Sequence, residues 1–417
     1  MRQRVRQLLG PAPAAAVTAA IVLAGCASGS AAAPARPAAV PAPAPASSPA
    51  APAASHNGHS RQAAPLPAPL RAGEWFARLL VPRPYRPVPP PGATDDYRCF
   101  LVDPGLTRPA YLTGSEFLPQ HVGLVHHAIF FRVAPADIAE ARRLDAAEPG
   151  EGWTCFGGTG VNGRAAAGER LDEGASWVAA WAPGSAERVS PAGTGYALPP
   201  GSQLVMQVHY NLLATGGKPA GTDRSGIRLR LMDGAAKLRP LQTTLLPAAV
   251  ELPCAPGESG QLCDREVAVL DVMHRFGSAA GATVAGLNLL CNAGRKPVAG
   301  PVQQCDRRVS QAGIVYALGG HMHLLGRSIK VELNPGTPAA KTLLDVRFYN
   351  FHDQTTRVLP QPVAIRAGDN LRVTCTHDAK LRRQLPELRA LPPRYVVWGD
   401  GSSDEMCLGI VAWTALR

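Results

Sequence analysis

From Tyr97 onward the chain is a succession of short apolar runs, and no other feature restricts its fold as much. HHAIFFRV, SQLVMQVHYNLL, GIRLRLM, REVAVLDVM, GIVYALGGHMHLLG, SIKVELN, TLLDVRFYNF, NLRVTCTH, RYVVWG and CLGIVAW read as strands. They are short, often alternate, and are separated by Gly, Pro, Asp and Asn, the pattern of sandwiches or barrels. Only PADIAEARRLDAA, Pro135 to Ala147, reads as a helix, and no repeat of fixed period occurs. The expectation is an all-β fold. About 340 residues make up this part, too many for one ordinary sandwich, so two domains are expected. Their boundary falls near Gly234 to Pro240, giving domains over 75–236 and 237–417.

The first residues read as an export signal over 1–25: Arg2, Arg4 and Arg6, then a small, apolar stretch reaching Ile21, Val22 and Leu23. Pro11 and Pro13 break that stretch, which argues against a durable membrane-spanning helix. The signal ends in LAGC, which resembles the lipobox of bacterial lipoproteins. By that resemblance cleavage precedes Cys26, which receives lipid and anchors the chain to a membrane of the bacterial cell envelope. Residues 26–74 are dominated by Ala, Pro and Ser, a composition that cannot bury enough surface to fold and reads as a semi-extended tether. His56 and His59 lie in it and read as solvated linker residues.

With Cys26 set aside, Cys99, Cys155, Cys254, Cys263, Cys291, Cys305, Cys375 and Cys407 remain. An even set behind an export signal implies disulfides in an oxidising compartment, although the sequence alone leaves their connectivity open. The formal charge of +11 includes three leader arginines, so the exported form carries about +8. The basic residues are scattered, without the basic-aromatic interleaving of a nucleic-acid groove, so no nucleic-acid partner is expected.

Chemistry concentrates in four places. His321 and His323, in HMH, stand at i and i+2, a spacing that in an extended segment projects both rings from one face. His126 and His127 are adjacent in LVHHAIFFRV, His209 lies in QLVMQVHYNLL, and Met406 lies in SSDEMC. Imidazole suits copper, zinc and iron, whereas a thioether favours Cu(I), so five histidines with one methionine point to copper. Taken singly, HMH serves zinc as well, His209 reads as a buried histidine and Met406 as core.

HHAIFF, MQVHY, HMHLLG and SSDEMC, in this order, resemble the copper-ligand motifs of the ascorbate-dependent type II copper monooxygenases, the family of the peptidylglycine and dopamine hydroxylases. DDYRCF, WTCFGG, AWAPG, RSGIRL and the strand ending at Cys375 extend the likeness over residues 75–417, allowing for an insertion. The resemblance implies two antiparallel, jelly-roll-like β-sandwich domains side by side, with one copper in each facing the other across a solvent-filled cleft. It implies that His126, His127 and His209 hold an electron-storing copper. His321, His323 and Met406 then hold the copper that activates O2. Ascorbate or another one-electron reductant restores both metals, and a C–H bond of a small organic substrate is hydroxylated. It also implies the pairs Cys99–Cys155 and Cys375–Cys407, and supporting roles behind the ligands for Tyr97 and Gln207. Adjacent histidines in a strand normally point to opposite faces, so His126 and His127 need a local distortion or different ring nitrogens to share one ion.

The resemblance stops at substrate binding. Peptide-amidating members hold a carboxylate with an Arg two residues before the HxH pair and a Tyr three after the EMC cysteine. Those positions are Gly319 and Ile410 here, so the charge-assisted bonds to a carboxylate are lost and a neutral or aromatic substrate is expected. An insertion around Cys254 to Cys305 is a second departure, at the edge of the expected cleft. The chain is expected to be a monomer. Two other classes remain: a copper-storing or copper-delivering envelope lipoprotein without turnover, and an envelope adhesion or scaffold module.

Overall fold

A computed structural model of the chain describes residues 66–161, 177–218 and 221–416. The leader, Cys26, and His56 and His59 of the tether lie outside the described residues. The architecture is mostly β, in several antiparallel sheets. One five-stranded sheet has the order Trp153–Thr154, Asp95–Val102, Gln203–Asn211, Val125–Val133, Trp177–Trp181. Its two central neighbours, Gln203–Asn211 and Val125–Val133, carry His209 and the His126–His127 pair. A nine-stranded sheet runs from Glu74–Leu80 at one edge to Arg357–Ile365 at the other. Its middle holds together through a short parallel pairing, Arg239 with Thr194 and Pro240 with Gly195. Beyond that joint come Arg239–Pro247, Leu408–Ala415 and Gly313–His321, which pair antiparallel and bring Gly319 opposite Ile410 and His321 opposite Leu408. A four-stranded sheet, Val302–Arg308, Asn370–His377, Gly326–Leu333 and Lys341–Val346, lies in the same region.

Inward-facing residues of these sheets form separate cores. Phe100, Leu112, Phe130, Met206, Val208 and Leu229 belong to one, Val315, Leu318, Ile329, Val331, Val373 and Val411 to another. Alternation is visible where one face meets the core: Asn370–His377 buries every second residue, Leu371, Val373, Cys375 and His377.

The expected helix forms as α1, Ile138–Ala147, after a single tight turn at Pro135–Asp137. Two further helices correct the sequence reading. REVAVLDVM, read as a strand, lies in α2, Arg265–Phe276, and α3 follows at Ser278–Cys291. The Asp264 side chain caps α2 by accepting from the backbone N–H of Glu266 and Val267. The residues α2 buries include Ala268, Val272 and Phe276, four apart, which is helical spacing. Disulfides Cys254–Cys263 and Cys291–Cys305 fasten the hairpin before α2 and at the end of α3. Cys99–Cys155 and Cys375–Cys407 form as the resemblance implied. No helix among the described residues is long and apolar enough to cross a membrane.

Candidate metal centre

The adjacent histidines share a direction because their strand is bulged. Val125 pairs with Tyr210 and His127 with His209, so His126 is an extra residue on its side of the ladder. The bulge turns both rings toward His209. His127 Nδ1 lies 3.2 Å from His126 Nδ1 and 3.2 Å from His209 Nδ1. One donor nitrogen from each of the three buried rings falls within 4.8 Å of the other two.

His209 is held from behind. Its Nε2 lies 2.8 Å from Asp95 Oδ1, which also accepts from Ser402 Oγ at 2.7 Å. A proton on Nε2 leaves Nδ1 with its lone pair toward the other histidines. Burial alone would raise the Asp95 carboxyl, but the bonds from His209 and Ser402 outweigh it and hold the group below its ordinary value. Tyr97 stacks on the His209 ring at 4.1 Å and 11°, and its hydroxyl donates to the carbonyl of Asp400 at 3.0 Å. The Gln207 amide donates to the Cys155 carbonyl at 2.7 Å, bracing the disulfide-bearing segment and reaching no imidazole.

His321 ends its strand and His323 lies in the turn beyond, with ring centroids 5.1 Å apart. Gly320 is required between the neighbouring strands: a Cβ there would stand 2.6 Å from Ile329 Cγ2. His321 Nδ1 meets Gln354 Oε1 at 2.6 Å. Glu405 ties the His323 turn to the methionine segment, accepting from the backbone N–H of His323 at 2.9 Å and of Met406 at 3.2 Å. His377 Nε2 stands 3.4 Å from the same carboxylate. The Cys375–Cys407 bridge fastens the chain immediately after Met406. Met406 is 9% exposed and, with His321, lines a shared chamber.

The two histidine groups converge. The His127 and His321 rings lie 5.5 Å apart, Phe351 stacks on His126 at 4.0 Å, and its ring is 6.0 Å from His323. Burial, followed by the neighbouring histidines, holds His126 and His127 well below the ordinary imidazole range. Burial and then His323 push His321 down to about 3. The rings are therefore neutral at physiological pH, the form that ligates metal. Nε2 of His126 and of His323 are buried without a hydrogen-bond partner among the described residues. Buried polar atoms are seldom left so unless an ion or water completes them. Five imidazoles and a thioether, with orphaned nitrogens among them, fit copper.

Several of these residues escaped the sequence reading. Asp95, Glu405, Gln354 and Phe351 have no spacing signal toward the histidines they touch, nor has Ser402 toward Asp95. Arg275 on α2 is another. Its guanidinium binds Asp404 at 2.8 and 2.7 Å, and the Asp404 carbonyl lies 3.3 Å from His323 Nδ1.

Residues 299–415 match the family model described as copper type II ascorbate-dependent monooxygenase, C-terminal domain. That stretch of the chain is therefore similar to the C-terminal domain of the copper type II ascorbate-dependent monooxygenases. The matched segment contains His321, His323, Met406 and both cysteines of Cys375–Cys407; His126, His127 and His209 lie before it. Among curated proteins there is no match. Solved structures share little with the chain. An uncharacterised Listeria monocytogenes protein solved with glucose, magnesium and calcium is 10% identical with a TM-score of 0.18, over 50% of this chain and 14% of its own. A Paenibacillus xanthan lyase is 11% identical with a TM-score of 0.17, over 81% of this chain and 27% of its own. The coconut allergen cocosin is 10% identical with a TM-score of 0.14, over 82% of this chain and 85% of its own. The chain thus spans between about a seventh and a quarter of the first two structures' length.

Proposed function

We propose that this chain is a copper-dependent monooxygenase that hydroxylates a C–H bond of a small organic molecule with O2 and a one-electron reductant such as ascorbate. The observation that carries the reading is the convergence of two histidine groups of different composition, one with Met406 beside it, on one apolar chamber. A store or carrier of copper needs neither two unlike sites nor a substrate-sized space, so turnover is favoured over storage or delivery.

His126, His127 and His209 would hold one copper and His321, His323 and Met406 the other, with the first in the N-terminal domain and the second in the C-terminal domain. Bound copper would supply one-electron redox chemistry, stored at the all-histidine set and applied to O2 at the set containing the thioether. The chain's own residues prepare both sets. Asp95 fixes the His209 tautomer, and Gln354 does the same service at His321 Nδ1. Glu405 and the Cys375–Cys407 bridge restrain the segment that presents Met406. The aromatic and aliphatic part of the chamber's lining would shield the bond to be attacked from water. Four disulfides indicate an oxidising, extracytoplasmic setting. Cys26 is proposed as the lipid-bearing residue, with the tether holding a monomeric enzyme off the envelope membrane.

Ascorbate-driven O2 consumption by the copper-loaded chain tests this. The measurement is repeated on Met406→His, which should keep copper and lose most of the O2 consumption. No copper-dependent uptake in the unaltered protein with any reductant and a broad substrate panel would leave the storage reading in its place.

A further inference from the structure

We propose that a second cavity, where the two halves of the nine-stranded sheet join, is a ligand site separate from the metal centre, and that it takes a small hydroxylated organic anion held by Arg188. The cavity has a volume of about 390 Å³, and none of the six metal-directed side chains lines it. Its walls come from both sides of the short parallel pairing, with Leu112, Ser115 and Tyr196 on one side and Thr243, Tyr316 and Ala317 on the other. An apolar cavity of about 150 Å³ is enough for benzene, so a six-carbon hydroxy acid has room here.

Arg188 is a cation without a counter-ion. Its strand, Arg188–Val189, pairs with Gly114 and Ser115, and Gly114 permits the close approach, since a Cβ there would stand 2.7 Å from the Arg188 carbonyl oxygen. The guanidinium stands on the partition between this cavity and the chamber, and it makes no hydrogen bond or ion pair among the described residues. Burial lowers it from its ordinary value, and Tyr196 offsets part of that. Tyr196 is no counter-ion, because burial raises its phenol and keeps it protonated. Glu187, the other charged residue of the lining, is committed elsewhere: its carboxylate meets Arg230 at 3.1 Å and accepts from the Ala68 N–H at 2.7 Å. A guanidinium keeps its charge in a protein, and holding one out of water without a partner is costly. A guest of opposite charge removes that cost.

The rest of the lining suits hydroxyl groups. Tyr196 Oη and Thr243 Oγ1 meet at 3.0 Å, a bond that uses one of their two protons and leaves the other for an acceptor. Ser115 and Ser190 bring further hydroxyls to the cavity, while Leu112, Val189 and Leu241 give it apolar surface. A carboxylate against Arg188 gains charge-assisted, paired bonds. Hydroxyls on the same molecule then exchange water for the Ser, Thr and Tyr groups around it. An inorganic anion would meet Arg188 equally well but leave most of the space unfilled.

The test is calorimetric titration of the metal-free full-length chain with gluconate, glucose and ascorbate. Gluconate should bind saturably, and uncharged glucose at least tenfold more weakly. Arg188→Met should weaken gluconate at least tenfold, and Arg188→Lys should recover part of that loss. Tyr196→Phe, which alters the second cavity and not the chamber, should weaken it at least threefold. Melting curves separate binding from folding. Without ligand Arg188→Met should melt no lower than the unaltered chain, since no partner loses a bond, and gluconate should raise the melting temperature of the unaltered chain but not of this variant. Hydrogen exchange on the unaltered chain should slow across residues 188–197 and 239–243 when gluconate is bound. Glucose binding as tightly as gluconate, gluconate affinity unchanged in Arg188→Met, or protection confined to residues 276–283 and 319–321 of the chamber overturns the proposal. Ascorbate displacing gluconate would mark the ligand as a reductant, and gluconate binding untouched by ascorbate would mark it as a non-reducing hydroxy acid; both results support the anion site. The titrations need no copper, so their failure leaves the monooxygenase reading intact, and absent O2 uptake leaves this site intact.

Discussion

Arg275→Met should loosen the oxygen-side ligands through the ion pair that α2 makes with the segment before Met406. Arg275 and Asp404 are 5% and 2% exposed, and their paired bonds are 2.8 and 2.7 Å long. Burial alone would raise the Asp404 carboxyl, but Arg275 and then Arg394 hold it below its ordinary value. Removing one member of a buried pair costs about 3–5 kcal/mol, because the other charge stays buried. Asp404 would keep Arg394 at 3.6 Å and the Gly401 N–H at 3.2 Å, so the low end, about 3 kcal/mol, is expected. For a chain of this size that lowers the melting temperature by roughly 5 °C. The His323 turn should also lose definition, since the Asp404 carbonyl lies 3.3 Å from His323 Nδ1. Chemical denaturation gives the stability, and copper content with ascorbate-driven O2 uptake gives the effect on the site. Adding Asp404→Leu to Arg275→Met should recover part of the stability, because no buried charge is then left unpaired. A loss below about 1 kcal/mol, or a double variant no better than the single one, would refute the bracing role.

Three shorter expectations follow from the same geometry. Burial, then the charge of Asp404, pushes Asp400 up to about 7 from an ordinary 3.8. Its contribution is therefore complete below pH 4 and is lost as pH rises through 7; Asp400→Asn should flatten that decline in denaturant midpoints, gaining up to about 4 kcal/mol at pH 8. His209→Ala should roughly halve the copper content and stop steady-state O2 uptake while His321, His323 and Met406 retain their metal; loss of all copper would mean that the two sets are not separable. Cys26→Ser should move the protein from the membrane to the soluble fraction, and unchanged membrane fractionation would remove the anchor assignment.

Much of the β architecture was legible because a strand with one buried face writes its pattern at period two, as Asn370–His377 does. Helix α2 was not legible, and the reason lies in its outer face. Val267 and Leu270 are 38% and 62% exposed, so apolar residues surround the buried Ala268–Val272–Phe276 stripe and hide its helical period. The histidines announced themselves as types and local spacings. Their arrangement did not, since the bulge at His126 belongs to the pairing with Gln203–Asn211 and leaves no mark in LVHHAIFF. Partners were harder still. Asp95 meets His209 from 114 positions away and Ser402 from 307, distances at which only the folded chain brings them together. The α2–α3 hairpin was visible only as an insertion with four cysteines; its helices and its two disulfides come from the folded chain.

The most direct test of the central claim is metal analysis of the purified chain after loading with copper and zinc in competition, read alongside ascorbate-driven O2 uptake. The account predicts two coppers per chain, little zinc, and O2 uptake that rises with the second copper. A single copper at saturation, or zinc preferred at both histidine groups, would contradict it.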